Sequence, residues 1–205
     1  LTNSLGADRT AVALSAAGYH TCVILDNGDI SCWGDGGAGQ LGNGAFFNRY
    51  SPTLTSSLGT GRTAVAISSG VFHTCAILDN GSVSCWGYGE MGQLGYEITD
   101  PYYVATPNLT SSLGVGRTAV GLSSGALHTC AILDNGSVSC WGEGDYGQLG
   151  NGTTSSTYTP NLTSSLGVGR TALLVDGDVD GDGMYNHFDI YPENSIQSIK
   201  CDAGQ

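Results

Sequence analysis

One fifteen-residue stretch occurs three times in this chain, starting at His20, His73 and His128, and it constrains the fold more than any other feature. It reads HTCVILDNGDISCWG in the first copy and HTCAILDNGSVSCWG in the other two. Two apolar arms flank Asp-Asn-Gly, which predicts a β-hairpin with a three-residue loop and Gly28, Gly81 and Gly136 in the left-handed conformation. That register places Cys22 opposite Cys32, Cys75 opposite Cys85, and Cys130 opposite Cys140. Counted back from the turn, each pair falls at a non-hydrogen-bonded site, where the Cα atoms approach closely enough for a disulfide.

The hairpins sit in a longer period. LTSSLG-type segments begin at Leu1, Leu54, Leu109 and Leu162, at offsets of 53, 55 and 53 residues. Each is followed by a run such as Ala64-Val65-Ala66-Ile67-Ser68, whose period-two alternation reads as a strand with one packed face. Four short strands per unit of this length match the blade of a β-propeller. The expected division is blade 1 over 1–53, blade 2 over 54–108 and blade 3 over 109–161. A partial fourth blade strand follows over 162–175, then a separate tail over 176–205. The fold class is all-β, with antiparallel propeller-type blades and a small C-terminal loop domain. Composition agrees: 33 glycines and only 12% charged residues describe a turn-rich β chain.

The order glycine, histidine, Cys-Trp-Gly and Gly-Gln-Leu-Gly recurs through the chain. It runs Gly18-Tyr19-His20, Cys32-Trp33-Gly34 and Gly39-Gln40-Leu41-Gly42 in the first unit, then from Gly70 and once more in the third unit. In this it resembles the regulator of chromosome condensation repeat over roughly residues 1–170. The resemblance implies blades of a β-propeller, usually seven in a ring. The sequence departs from that family in having three blades and a stub, a cysteine pair per blade, and strong acidity.

Seven cysteines, six of them in regular pairs, point to an oxidising compartment, and the expected location is extracellular or on the cell surface. A net charge of −12 opposes binding to nucleic-acid phosphates or anionic membranes. No apolar run is long enough to span a bilayer. The chain starts at Leu1 with no signal peptide, which reads as a processed or excised segment.

After Val175 the composition changes. From Asp178 the sequence reads D-x-D-x-D-G-x-x-x-x-x-D, a twelve-residue calcium loop. Its expected ligands are Asp178, Asp180, Asp182, the Met184 carbonyl, Asn186 and Asp189, with Gly183 at the sharp turn. With Phe188 to Pro192 following, the stretch resembles a thrombospondin type 3 or dockerin-like repeat, which implies calcium as the cofactor. Starting the frame at Asp176 would put His187, a poorer ligand for a hard cation, at the last position.

Catalysis finds little support. His20, His73 and His128 recur without a varying partner, which fits half-buried rings satisfying nearby backbone groups better than three copies of one base. No G-x-S-x-G elbow occurs, and the C-terminal carboxylates suit a metal better than a glycosidase pair. The Gly-Gln-Leu-Gly boxes lack the lysine and helix of a phosphate loop. Trp33, Trp86 and Trp141 are expected to pack between neighbouring sheets.

Other features point outward. The linking segments carry Phe46, Phe47, Tyr50, Tyr102, Tyr103 and Tyr158 and read as exposed binding loops. Asn108, Asn151 and Asn161 head glycosylation sequons; Asn80 and Asn135 do too, but lie inside the tight turns. The odd Cys201 suggests an intermolecular bond. Three blades cannot close a ring and leave open faces and strand edges. The expected function is therefore a secreted, non-enzymatic structural protein whose partners are copies of itself, joined head to tail into a filament. The alternative is part of a larger cell-surface propeller adhesin that binds a protein or glycan through the aromatic loops.

Overall fold

A computed structural model of the protein describes residues 5–6, 8–167 and 170–172. The chain divides between Ala172 and Leu173 into two units. The calcium-loop residues Asp178 to Asp189, Cys201 and the end of the expected fourth-blade strand lie outside the described residues.

The first sheet contains β1 (Ala11–Ala17), β2 (His20–Leu25), β3 (Ile30–Gly34) and β4 (Arg49–Leu54). The second contains β5 (Ala64–Ser69), β6 (His73–Leu78), β7 (Val83–Tyr88) and β8 (Tyr103–Leu109). The third contains β9 (Ala119–Ser124), β10 (His128–Leu133), β11 (Val138–Gly142) and β12 (Thr157–Leu162). Within each sheet the strands pair antiparallel in chain order, so the all-β, blade-like architecture holds. The described residues contain no helix, and so none long and apolar enough to cross a membrane.

The central hairpin forms as its sequence dictates. Leu25 N bonds Asp29 O at 2.8 Å and Gly28 N bonds Leu25 O at 2.8 Å, with Gly28 at φ 79°. The same bonds recur around Gly81 and Gly136. Only glycine reaches that φ without strain, so the Asn-Gly step closes the loop in the register the cysteines need. Cys22 faces Cys32, Cys75 faces Cys85 and Cys130 faces Cys140, each disulfide-bonded with Cα atoms 4.1 Å apart. Closing a loop of this size stabilises each hairpin by about 3 kcal/mol on the chain-entropy account.

The fourth strand of each sheet comes from the segment read as an exposed loop. β4, β8 and β12 carry Pro52, Pro107 and Pro160, and each pairs with only one neighbour. An edge strand has no need of every N–H and keeps one long side in water. It therefore lacks the apolar alternation by which sequence reasoning finds strands. These strands end at Leu54, Leu109 and Leu162, the first residues of the LTSSLG segments.

The core lies between sheets. At the first seam Cys22, Ile24, Ile30 and Cys32 of the first sheet and Leu41 of the loop after β3 meet Ala64, Ala76 and Trp86 of the second. At the second seam Cys75, Ile77, Val83, Cys85 and Leu94 meet Ala119, Ala131 and Trp141. Each sheet thus has a disulfide face and a tryptophan face, and disulfide face packs on tryptophan face. Small Ala76 and Ala131 leave room for the indole, and residues on opposite sides of one strand enter different seams.

Candidate functional site

The recurring motif residues meet across each seam. Thr74 Oγ1 donates to the backbone carbonyl of Gln40 at 2.9 Å, and Trp86 Nε1 donates to the same oxygen at 2.9 Å. His20 Nε2 stands 2.7 Å from Thr74 Oγ1. Because the threonine hydroxyl has given its proton to Gln40, its oxygen must accept from the imidazole, which fixes His20 as the Nε2–H tautomer. The second seam repeats this: Thr129 Oγ1 and Trp141 Nε1 each reach Gln93 O at 3.0 Å, and His73 Nε2 lies 2.9 Å from Thr129 Oγ1.

The glutamine side chain braces its own loop. Gln40 Oε1 accepts from Ala38 N at 2.9 Å, and its amide donates to Asp35 Oδ2 at 2.9 Å, leaving the backbone carbonyl for the next sheet. Gly42, at φ 68°, sits under the indole: a Cβ there would lie 2.6 Å from Trp86 Nε1. So the Gly-Gln-Leu-Gly box is a socket for tryptophan, not for phosphate.

This arrangement corrects the reading of the histidines. His20 and His73 are buried, and each donates to a threonine hydroxyl of the neighbouring sheet, not to backbone groups. Burial pushes the His20 imidazole down to about 4, against a small upward pull from Asp35. His73 falls to about 3 through burial and its neighbours His20 and His128. Both rings stay neutral donors, with Nδ1 lacking a partner, a poor arrangement for a general base.

At the two ends the same residues have no counterpart among the described residues. On the tryptophan face of the first sheet, Thr21 and Trp33 are half-buried, while Thr74, Thr129, Trp86 and Trp141 are 0% exposed. Leu14 is 71% exposed there, and its equivalents Ile67 and Leu122 are partly covered in the seams. The expectation that all three tryptophans pack between sheets therefore holds for two; no described sheet precedes Trp33. On the disulfide face of the third sheet, His128 is half-buried with no threonine at Nε2, and no threonine or tryptophan reaches the Gln148 carbonyl among the described residues. A Cβ at Gly150 would meet nothing closer than 3.5 Å. Burial lowers the His128 pKa, with Glu143 opposing. One end of the stack offers the donors Thr21 and Trp33, and the other offers an acceptor carbonyl and the His128 imidazole. The third sheet does engage the beginning of a fourth unit: Ala172 N bonds Gly136 O at 2.9 Å, as Ala64 N bonds Gly28 O and Ala119 N bonds Gly81 O at 2.8 Å.

The expected binding aromatics are scattered. Phe46 and Phe47 are exposed, with the Arg49 guanidinium 4.3 Å from the Phe47 ring centre. Tyr103 stacks at 5.4 Å on Tyr88, Tyr102 is half-buried, and Tyr158 donates to Glu90 O at 3.1 Å from the neighbouring sheet. Asn108 and Asn161 are exposed on the edge strands β8 and β12, whereas Asn151 accepts from Thr153 N and Oγ1 in a local turn. Tyr88 and the seam threonines were not singled out by sequence reasoning, although a threonine follows every motif histidine and marks the contact.

Comparison with known proteins agrees with this geometry. Family models described as the regulator of chromosome condensation (RCC1) repeat match residues 11–40, 64–93 and 119–148, and 27–77 and 135–171. The ultraviolet-B receptor UVR8 of Arabidopsis thaliana is 33% identical over 189 residues, covering 85% of this chain and 42% of the receptor. The E3 ubiquitin-protein ligase HERC2 of Homo sapiens is 33% identical over 159 residues, which cover 76% of this chain and 3% of the ligase. Yeast RCC1 (Prp20), in its structure bound to Kap60, has a TM-score of 0.67 at 17% identity over 76% of this chain and 37% of that one. Human WBSCR16 has a TM-score of 0.51 at 19% identity over 78% and 54% of the two chains. The chain thus spans less than half of the ultraviolet-B receptor and a small part of the ligase. The two matching models together cover well over half of the sequence, and the chain belongs to the regulator of chromosome condensation repeat family.

Proposed function

We propose that this protein is a non-enzymatic assembly subunit, and that the tryptophan face of its first sheet docks on the disulfide face of another copy's third sheet. The observation that carries the reading is that the threonine, tryptophan, histidine and glutamine groups at the two ends, which have no counterpart among the described residues, are the same groups that meet in the two internal seams, while Ala172 of the same chain already bonds Gly136 O. Trp33 and Thr21 are the donors that Trp86 and Thr74 provide inside the chain, and the Gln148 carbonyl and His128 are the groups they would meet. A heterologous contact of this kind repeats head to tail and gives an open filament or surface structure unless its rotation closes a ring.

Secretion into an oxidising environment is part of the proposal, supported by the three disulfides. So are calcium at Asp178, Asp180, Asp182, Met184, Asn186 and Asp189, an intermolecular bond at Cys201, and glycans on Asn108, Asn151 or Asn161, all resting on sequence patterns. Sedimentation velocity of the oxidised protein from about 1 to 100 μM tests the assembly. The expected result is a concentration-dependent series of elongated oligomers that Leu14→Asp abolishes. A monomer throughout that range overturns the proposal.

A second reading has its own support in the relatives' greater length, since this chain covers 37% of the yeast propeller. Further blades of a longer polypeptide would then fill the same two faces, and the assembled propeller would act as a surface adhesin for a protein or glycan. A monomer that gains stability only when fused to additional repeats favours this reading over self-assembly.

A further inference from the structure

The three units share a backbone frame but differ at two positions on it. Directly before the motif histidine stand Tyr19, Phe72 and Leu127; two residues after the motif tryptophan stand Asp35, Tyr88 and Glu143. In every unit the second position donates its backbone N–H to the carbonyl of the first, at 2.8, 2.9 and 2.9 Å. Asp35 and Glu143 accept from the Gln40 and Gln148 amides, whereas Tyr88 in the second unit leaves the Gln93 amide nitrogen without such a partner.

Several of these residues converge on a groove of about 490 Å³, lined by Asp35, Ala38, Phe72, Tyr88, Tyr103 and Leu127. Tyr88 and Tyr103 stack with centroids 5.4 Å apart at 37°, and Phe72 meets Tyr88 edge-on at 6.5 Å. The Tyr88 hydroxyl donates to the Glu90 carboxylate. That bond, with burial and the nearby charge, pushes its pKa up to about 12. Two of the three variable residues after tryptophan are acids, Asp35 and Glu143, and among the described residues no arginine or lysine lines the groove. Arg9, Arg62 and Arg117 are held elsewhere by Asp26, Asp79 and Asp134, and Arg49 lies over Phe47.

We propose that this groove binds an arginine or lysine side chain presented by an extended segment of a partner protein. The cation lies against the Tyr88–Tyr103 faces, and the carboxylates of Asp35 and Glu90 supply the counter-charge. Aromatic faces attract a cation through the ring quadrupole, and carboxylates at the rim both draw it in and exclude anionic partners. The groove's volume falls in the range of small-ligand sites and suits a few residues of peptide. The proposal does not depend on self-association, because every residue of the groove belongs to one chain.

The test uses the oxidised full chain and three probes: an acetylated Gly-Arg-Gly-Lys-Gly amide, the same peptide with citrulline and norleucine in place of the cations, and chitotriose. Titration followed by NMR is expected to give saturable shifts with the cationic peptide at about 1 mM or tighter. Tyr103→Ala and Glu90→Gln should each weaken binding about 5-fold, and Phe46→Ala should leave it unchanged. Equal binding of the neutral peptide overturns the proposal. So does saturable binding of chitotriose alone, or no saturable shift with any probe, provided the folded spectrum is retained.

Discussion

Replacing Thr74 by valine separates seam chemistry from strand propensity, because the two side chains have nearly the same shape. In the native protein Thr74 Oγ1 donates to Gln40 O at 2.9 Å and accepts from His20 Nε2 at 2.7 Å. The carbonyl keeps its bond from Trp86 Nε1, so it is not orphaned. The imidazole N–H is: His20 is 4% exposed, and no other acceptor is bonded to Nε2. An unsatisfied buried donor costs about 1–3 kcal/mol, and the lost bond to Gln40 adds about 1 kcal/mol. Burying an extra methyl group offsets about 0.8 kcal/mol of this, leaving a net destabilisation of about 2 kcal/mol. The control is Thr21→Val, the same substitution at the equivalent position of the first sheet, where the hydroxyl has no partner among the described residues. It should stay within about 0.5 kcal/mol of wild type. Urea unfolding of the oxidised, dilute protein, followed by tryptophan fluorescence, measures both. Equal shifts for Thr74→Val and Thr21→Val would refute the bridging role of the threonine.

Three further outcomes are expected. Gly42→Ala and Gly150→Ala place the same residue at positive φ, 68° and 64°, but only the first drives a Cβ within 2.6 Å of an indole nitrogen. Gly42→Ala should therefore be the more destabilising by about 1–3 kcal/mol in urea unfolding, and equal effects would exclude the socket role. His20 and His73 titrate in the folded protein at about 4 and about 3, below the usual value of 6.5. The unfolded chain binds protons first as pH falls, so their contribution is full above pH 6.5 and is lost on acidification toward 4 and 3. Each histidine adds a slope of at most about 1.4 kcal/mol per pH unit, and unfolding midpoints for His73→Gln should fall less steeply between those limits. Calcium added to chelated protein should bind calorimetrically with a dissociation constant of about 1 mM or tighter, and the joint variant Asp178→Asn and Asp180→Asn should abolish it.

The hairpins were legible because everything that makes them is local. The turn glycine, the apolar arms and the two cysteines lie within one fifteen-residue stretch, and the register follows by counting. The tryptophans were legible as inter-sheet side chains, but their acceptor was not. Gln40 O is a backbone atom 46 residues from Trp86, and a residue's type carries no sign of what its carbonyl will meet. The threonine partners of the histidines are hidden for the same reason: Thr74 is 54 residues from His20, and only the stacking of sheets brings them together. Four strands per unit are expected from the period, but the position of β4, β8 and β12 is not legible because prolines and a wet face erase the period-two signal. The groove was half visible. Tyr103 stands out because it lies in an irregular segment, whereas Phe72 and Tyr88 are hidden inside the regular part of the repeat. Comparing the three internal copies position by position reveals them.

The central claim is that the two ends of the blade stack are complementary and of opposite polarity. Mixing two singly blocked proteins tests it most directly. Leu14→Asp blocks the tryptophan face of the first sheet, and His128→Asp blocks the disulfide face of the third. Sedimentation velocity on each folded variant alone should show only monomer. An equimolar mixture should give a dimer and nothing longer, because each pair retains one intact contact and two blocked ends. Oligomers formed by either variant alone, or a mixture that stays monomeric while the wild type assembles, would contradict the account.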